Sequence, residues 1–290
     1  MSKIFNVVTK DKLIGIDELG EVDVQTAEPR EQPAEKPIIY LSPTPRAEET
    51  ARVVPLRISA LSPIFPFDTN FQTAAEQYRI IRTQILHHRK KPRLIVVSSA
   101  SSGDGKTITA INLAASFALK DDTSVLLVDG DLRRPNISNL LGLPSTPGLL
   151  QVLAGRAELD SAVVCSEQFP NLFIISSGSA PGNAAELLDS QNWRSFVEHV
   201  RTRFSMVIFD APPIASVADY ELLQLACDGT ILVARPDHTD RAGCLNALKF
   251  VPREKLIGVV LNGVQDWWLW KTPGFAYYSK HSGETDTLNN

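Results

Sequence analysis

The chain has 290 residues, 43% of them apolar, which is enough for one sizeable core and an appendage. Its formal charge of -4 and pI near 5.8 carry no basic excess, which argues against a surface built mainly to grip nucleic-acid backbones. Cys165, Cys227 and Cys244 stand isolated along the chain, so neither a disulfide framework nor a zinc site is indicated and a reducing compartment is expected.

The start, Met1-Ser-Lys-Ile-Phe-Asn, lacks a signal-type apolar stretch, and no later window approaches the roughly 20 apolar residues that span a bilayer. A cytoplasmic location is expected, with any link to the membrane made through a partner. Residues 21 to 66 interleave eight prolines with charges such as Glu31, Glu35 and Lys36, a mixture that resists helix and sheet and predicts a flexible, extended linker. The expected division is a Pro-rich segment over 1–67, one catalytic domain over 68–265, and an aromatic tail over 266–290.

From Asp68-Thr-Asn70 the pattern changes. A cap-like cluster precedes Phe71, Tyr78, Ile81 and Ile85, whose spacing predicts an amphipathic helix reaching about His88. Short apolar runs follow at Leu94–Val97, Val125–Val128, Leu172–Ile175, Met206–Phe209, Thr230–Ala234 and Leu256–Leu261. Continuous runs suit parallel strands covered on both faces. Helical stretches between them, over 106–119, 148–153, 192–203, 219–226 and 241–250, give the order βα repeated. The expected fold is a doubly wound, mostly parallel α/β sheet with ligands at the carboxyl ends of the strands.

The first of these strands runs into Ala100-Ser-Ser-Gly-Asp-Gly-Lys-Thr107 and then into a helix, the strand, loop and helix of a P-loop. Ser102, Gly103, Asp104 and Gly105 form the turn whose backbone N–H groups surround an anion. Lys106 brings positive charge to the phosphates, and Thr107 offers a hydroxyl to Mg²⁺. Ala100 replaces the usual first glycine, which requires that this position have no positive φ.

A second motif, Val125-Leu-Leu-Val-Asp129-Gly-Asp131-Leu-Arg133-Arg134, puts two carboxylates at the exit of the next strand. Met206-Val-Ile-Phe-Asp210-Ala-Pro-Pro213 adds a third, where the prolines stop the strand. Singly, each could be a cap or a turn. Three such Asp downstream of a P-loop imply a cation between them and a bound triphosphate, hence Mg-ATP.

With these three motifs the chain resembles the bacterial tyrosine kinases of capsule and exopolysaccharide synthesis, which carry a Walker A loop, an Asp-x-Asp-x-Arg motif and a Walker B Asp. The likeness extends to Pro147–Gly155, Ser177–Leu188 and Gly258–Asn262, covering about residues 71 to 263. The resemblance implies an ATP-dependent tyrosine autokinase that regulates polysaccharide export. Asp129 would be the base for the tyrosine hydroxyl, Asp131, Asp210 and Thr107 the Mg²⁺ ligands, and Lys106 the phosphate contact. Ser101 stands where related partition and division-site ATPases carry a signature Lys, which favours the kinase branch.

Glu76-Gln-Tyr-Arg79-Ile-Ile-Arg82 resembles the family's Glu-x-x-Arg-x-x-Arg element and implies a homo-oligomer, in the form of a ring. Read from the residues alone, it is a solvated charge stripe. The family's terminal tyrosine run is reduced here to Tyr277-Tyr278, the implied phosphoacceptors, which follow Trp267-Trp-Leu-Trp270. The resemblance also implies a membrane adaptor of the polysaccharide co-polymerase type, at the inner face of the plasma membrane. Two rivals stay open at this point: an ATPase switch without tyrosine transfer, and a nucleotide-bound scaffold.

Overall fold

The computed structural model describes residues 51–58, 63–64, 72–179, 184–214, 218–236 and 238–264. In chain order the elements are β1 (Arg52–Val54), α1 (Gln72–Leu86), β2 (Leu94–Ser99), α2 (Lys106–Ala118), β3 (Val125–Asp129), α3 (Ile137–Leu141), α4 (Leu149–Leu153) and α5 (Leu159–Ala162). They continue with β4 (Val163–Ser166), β5 (Leu172–Ile175), α6 (Ala184–Leu188), α7 (Gln191–Arg203), β6 (Met206–Asp210), α8 (Ala218–Ala226), β7 (Gly229–Ala234), α9 (Arg241–Leu248) and β8 (Leu256–Leu261).

The strands form one sheet in the order β1-β4-β5-β3-β6-β2-β7-β8. All pairings are parallel except β4 with β5. Continuous apolar runs make the central strands: β2, β3, β5 and β6 are buried at every residue. One cluster, with Leu126, Phe173, Phe196 and Phe209, lies on one face of the sheet. A second, with Ile95, Ile111, Phe117 and Ile208, lies on the other. This is the covered-on-both-faces arrangement that such runs require.

The expected doubly wound fold is present, and the six strands read from the sequence are there. The linker reading is corrected at its end. Arg52–Val54 pairs in parallel with Val164–Ser166, the Leu56 N–H donates to Gln168 Oε1 at 3.0 Å, and Leu56 and Ile64 are buried. Pro55 stops pairing after three residues but does not prevent it, because β1 is an edge strand, where proline costs least.

Helix α1 packs on α2 through Tyr78, Ile81 and Ile85. Burying an Ile side chain there contributes about 1.5–3 kcal/mol. Because β2 lies between β6 and β7, the carboxyl ends of β2, β3 and β6 open on one edge of the sheet, and that edge carries the motifs.

Candidate active site

At the end of β2 the chain turns into α2 through two glycines in the left-handed region, Gly103 at φ +93° and Gly105 at φ +92°. Side chains strain that conformation, so the loop needs glycine at both positions. Ala100 lies outside the positive-φ set, and its N–H goes to the Val233 carbonyl at 3.4 Å, so alanine serves where the motif usually has glycine. The N-cap residue, Gly105, has no side chain with which to cap α2, which leaves first-turn amides for an anion.

Ser102 and Gly103 form the exposed crest of the loop, whereas Asp104 is fully buried. The Asp104 carboxylate accepts the Ser101 N–H at 2.8 Å and the Thr239 hydroxyl at 2.6 Å, and lies 2.9 Å from His238 Nδ1. Its own carbonyl accepts Asn262 Nδ2 at 2.9 Å. Asp104 therefore braces the loop against the segment that follows β7 through its side chain and the segment that follows β8 through its carbonyl, which leaves the loop N–H groups for the phosphates.

The carboxylates converge as the strand exits predict. Asp129 and Asp210 are neighbours in the β3–β6 register. Between Asp129 and Asp131, Gly130 donates its N–H to the Asp210 carbonyl at 2.8 Å, and a Cβ at Gly130 would stand 2.9 Å from that oxygen. Lys106 Nζ lies 2.7 Å from Asp131 Oδ2 and 3.4 Å from Asp210 Oδ1, and the Thr107 hydroxyl donates to Asp210 Oδ2 at 2.7 Å. Asp129 Oδ2 accepts the N–H groups of Asn136 and Ile137. Its Oδ1 is buried with no hydrogen-bond partner among the described residues.

Burial and close charges shift Asp129, Asp210 and Lys106. Burial, then the Asp210 charge, pushes Asp129 up to about 7. Burial raises Asp210 to about 6 against the opposing pull of Lys106 and the Thr107 hydroxyl. Burial pulls Lys106 down, but Asp210 and Asp131 outweigh it and hold its pKa above the ordinary lysine value.

This donor set fits Mg-ATP. Thr107, Asp131 and Asp210 offer only hard oxygens, with a cation, Lys106, already drawn to both carboxylates. Among the described residues no three His, Cys, Asp or Glu side chains could hold a metal by themselves. Mg²⁺ commonly shares its coordination between one or two carboxylates and substrate phosphates, so an incomplete protein cage is the expected form.

Several contacts of the site were not evident from the chain's pattern. Arg133 forms a two-point pair with the buried Asp219, at 2.8 and 3.3 Å, tying the acidic motif to the start of α8. Thr239, His238 and Asn262 brace the P-loop from far along the chain, and only Asn262 fell within a recognised run.

On α1, Glu76 and Arg79 pair at 2.7 Å, both more than half exposed, while Arg82 turns inward to the Ser116 carbonyl of α2. The stripe read from the sequence is therefore split: two charges face outward and one joins the packing. Tyr277, Tyr278 and the tryptophans at 267–270 lie outside the described residues.

A buried parallel sheet, a P-loop and acidic strand exits beside it define a nucleotide-binding protein of the P-loop class, and the family model described as an AAA domain matches residues 92–255. The chain is 36% identical over 208 residues to the tyrosine-protein kinase YwqD of Bacillus subtilis strain 168, covering 70% of this chain and 86% of that one. It is 35% identical over 195 residues to the tyrosine-protein kinase CpsD of Streptococcus pneumoniae serotype 4, covering 65% and 84%. Among solved structures, the kinase domain of Escherichia coli tyrosine kinase ETK superposes with a TM-score of 0.62 at 26% identity, over 73% of this chain and 89% of that one. The chimerical protein CapA2B2 superposes with a TM-score of 0.67 at 26% identity, over 72% and 93%. The chain belongs to the bacterial tyrosine-protein kinases.

Proposed function

We propose that this protein transfers the γ-phosphoryl group of Mg-ATP to tyrosine, chiefly Tyr277 and Tyr278 of neighbouring copies, and thereby regulates capsule or exopolysaccharide export. The observation that carries the reading is the unpartnered, buried Asp129 Oδ1, set beside the Lys106, Asp131 and Asp210 cluster. A buried acceptor left open is costly unless a donor arrives, and a tyrosine hydroxyl is such a donor.

In this mechanism Lys106 and the loop amides of Ser102, Gly103, Asp104, Gly105 and Thr107 hold the phosphates, while Thr107, Asp131 and Asp210 hold Mg²⁺. The metal offsets phosphate charge when bound. Asp129 takes the proton of the tyrosine hydroxyl as that oxygen bonds to the γ-phosphorus and the bond to the ADP oxygen breaks. Lys106, which pairs with Asp131 and Asp210, would turn its ammonium to the phosphates of bound nucleotide, and those two carboxylates with Thr107 would hold Mg²⁺, which would supply further positive charge.

The kinase domain begins at β1 in this reading and continues to about residue 265, after a Pro-rich segment and before the tail. Glu76 and Arg79, with Arg82 anchoring their helix on α2, supply the contact between copies of a ring. A membrane adaptor of the polysaccharide co-polymerase type brings the protein to the inner face of the plasma membrane. Among the described residues no helix is long and apolar enough to cross a membrane.

Phosphopeptide mapping after incubation with Mg-ATP tests the reading. Phosphotyrosine at 277 and 278, lost in Asp129→Asn with ATP binding kept, is expected. Turnover of ATP with no phosphotyrosine anywhere would return the case to an ATPase switch.

A further inference from the structure

The edge of the sheet opposite the P-loop has its own chemistry. β2, β7 and β8 are parallel neighbours, so their starts, and the connections leading into them, share one edge. Lys90 Nζ donates to the Glu254 carbonyl, joining the α1–β2 connection to the α9–β8 connection. Lys255 Nζ donates to the carbonyls of Gln224 and Leu225 at 2.7 and 3.2 Å, joining the latter to the end of α8. Each strand is six residues long, so this edge lies about 20 Å from the P-loop edge.

The two connections, residues 87–93 and 249–255, hold seven Lys or Arg and one acidic residue, Glu254, in a chain whose net charge is -4. Arg89, Lys90, Lys91, Lys249 and Arg253 are exposed. Asp228, just before β7, is engaged by Arg201 at 2.8 Å and does not neutralise them, and the exposed Asp121 and Asp122 lie two strands away, in the connection into β3. Large apolar side chains project among these cations: Leu225 is 72% exposed and Phe250 47%. Cations with exposed aromatic and aliphatic groups between them are the two signals that hold a peripheral protein on an anionic bilayer, since each basic residue and each inserted side chain adds a modest increment.

We infer that this edge is a contact surface for anionic phospholipid headgroups, with Phe250 and Leu225 entering the interface between the charges. The contact goes beyond recruitment through an adaptor and needs none. It leaves the P-loop edge facing away from the bilayer, open to nucleotide and to neighbouring tails.

Flotation of the full chain with phosphatidylcholine vesicles, with and without phosphatidylglycerol, tests this. Binding is expected to the phosphatidylglycerol vesicles only, and to fall at high salt, where screening shortens to about 3 Å near 1 M. The triple variant Arg89→Glu, Lys91→Glu, Arg253→Glu should lose about 100-fold in vesicle affinity, and Phe250→Ala about tenfold, each with the parent's melting temperature and ATP affinity. Failure to float with anionic vesicles, or flotation of the triple variant equal to the parent, overturns the proposal. Binding to poly-glutamate but not to vesicles overturns it in favour of an acidic protein partner. Parental flotation of both Phe250→Ala and Leu225→Ser overturns the insertion of apolar side chains.

Discussion

Asp104 and Thr239 are 135 residues apart in sequence, yet the Thr239 hydroxyl donates to the buried Asp104 carboxylate at 2.6 Å. The P-loop is thus shaped partly from outside itself. Thr239→Val should weaken ATP binding roughly tenfold, since a hydrogen bond to a charged acceptor contributes about 1.5–3 kcal/mol. Thr239→Ser should restore it. Calorimetric titration of both variants, with melting temperature as control, checks this. Parental affinity in the valine variant would show that the loop keeps its shape without the brace.

Lys106→Met should abolish ATP binding and phosphorylation in a folded protein, because the ammonium serves the phosphates once nucleotide displaces it from Asp131 and Asp210. Circular dichroism and nucleotide titration together check it. An unchanged ATP affinity would remove Lys106 from the site.

Glu76→Ala with Arg79→Ala should reduce the mass of any oligomer, since these are the outward charges of α1. Arg82→Ala should act differently: it removes a bond to the Ser116 carbonyl and should lower the melting temperature more than the mass. Light scattering with thermal melts separates the two effects. Equal mass in parent and double variant would leave Glu76 and Arg79 as solvated surface.

Asp228 accepts the N–H groups of Arg93 and Leu94 at 2.8 and 2.9 Å, fixing the start of β2. Burial alone would raise its pKa, but Arg201 and these amides hold it below the ordinary carboxylate value. Its stabilisation is therefore complete above the unfolded pKa of about 4 and is lost as pH falls through the lower folded value. Asp228→Asn should lose about 1–3 kcal/mol at neutral pH and show a shallower acid limb in urea melts. Identical acid limbs would show that other carboxylates govern acid unfolding.

Much of this architecture was legible because its signals are local. Leu94–Val97 and Met206–Phe209 read as buried strands from composition alone, and Gly103, Gly105 and Lys106 are contiguous. β1 was not legible, since Arg52–Val54 is three residues long, lies among prolines and owes its strand to pairing with β4. β4 was missed because Val163–Ser166 follows α5 without a break. The braces at Thr239 and His238 and the Arg133–Asp219 pair arise from tertiary contact between distant segments, and neither periodicity nor spacing encodes such contact. Asn262 was the partial exception, since it ends a strand run and so could be placed on the same edge as the P-loop.

Asn262, just beyond β8, donates to the Asp104 carbonyl, and a Cβ at Gly105 would stand 1.9 Å from its amide nitrogen. The segment leaving β8, one of the two outermost strands of the sheet, is therefore in direct contact with the phosphate loop. Linkage makes such a contact reciprocal: whatever tightens the loop must also steady the strand, by the same free energy. An edge strand ordinarily frays on its own account, but here its fraying is reported to the nucleotide site. A protein that binds β8 along the edge left unpaired among the described residues would raise ATP affinity without touching ATP, and ATP would slow hydrogen exchange at Val259 and Val260.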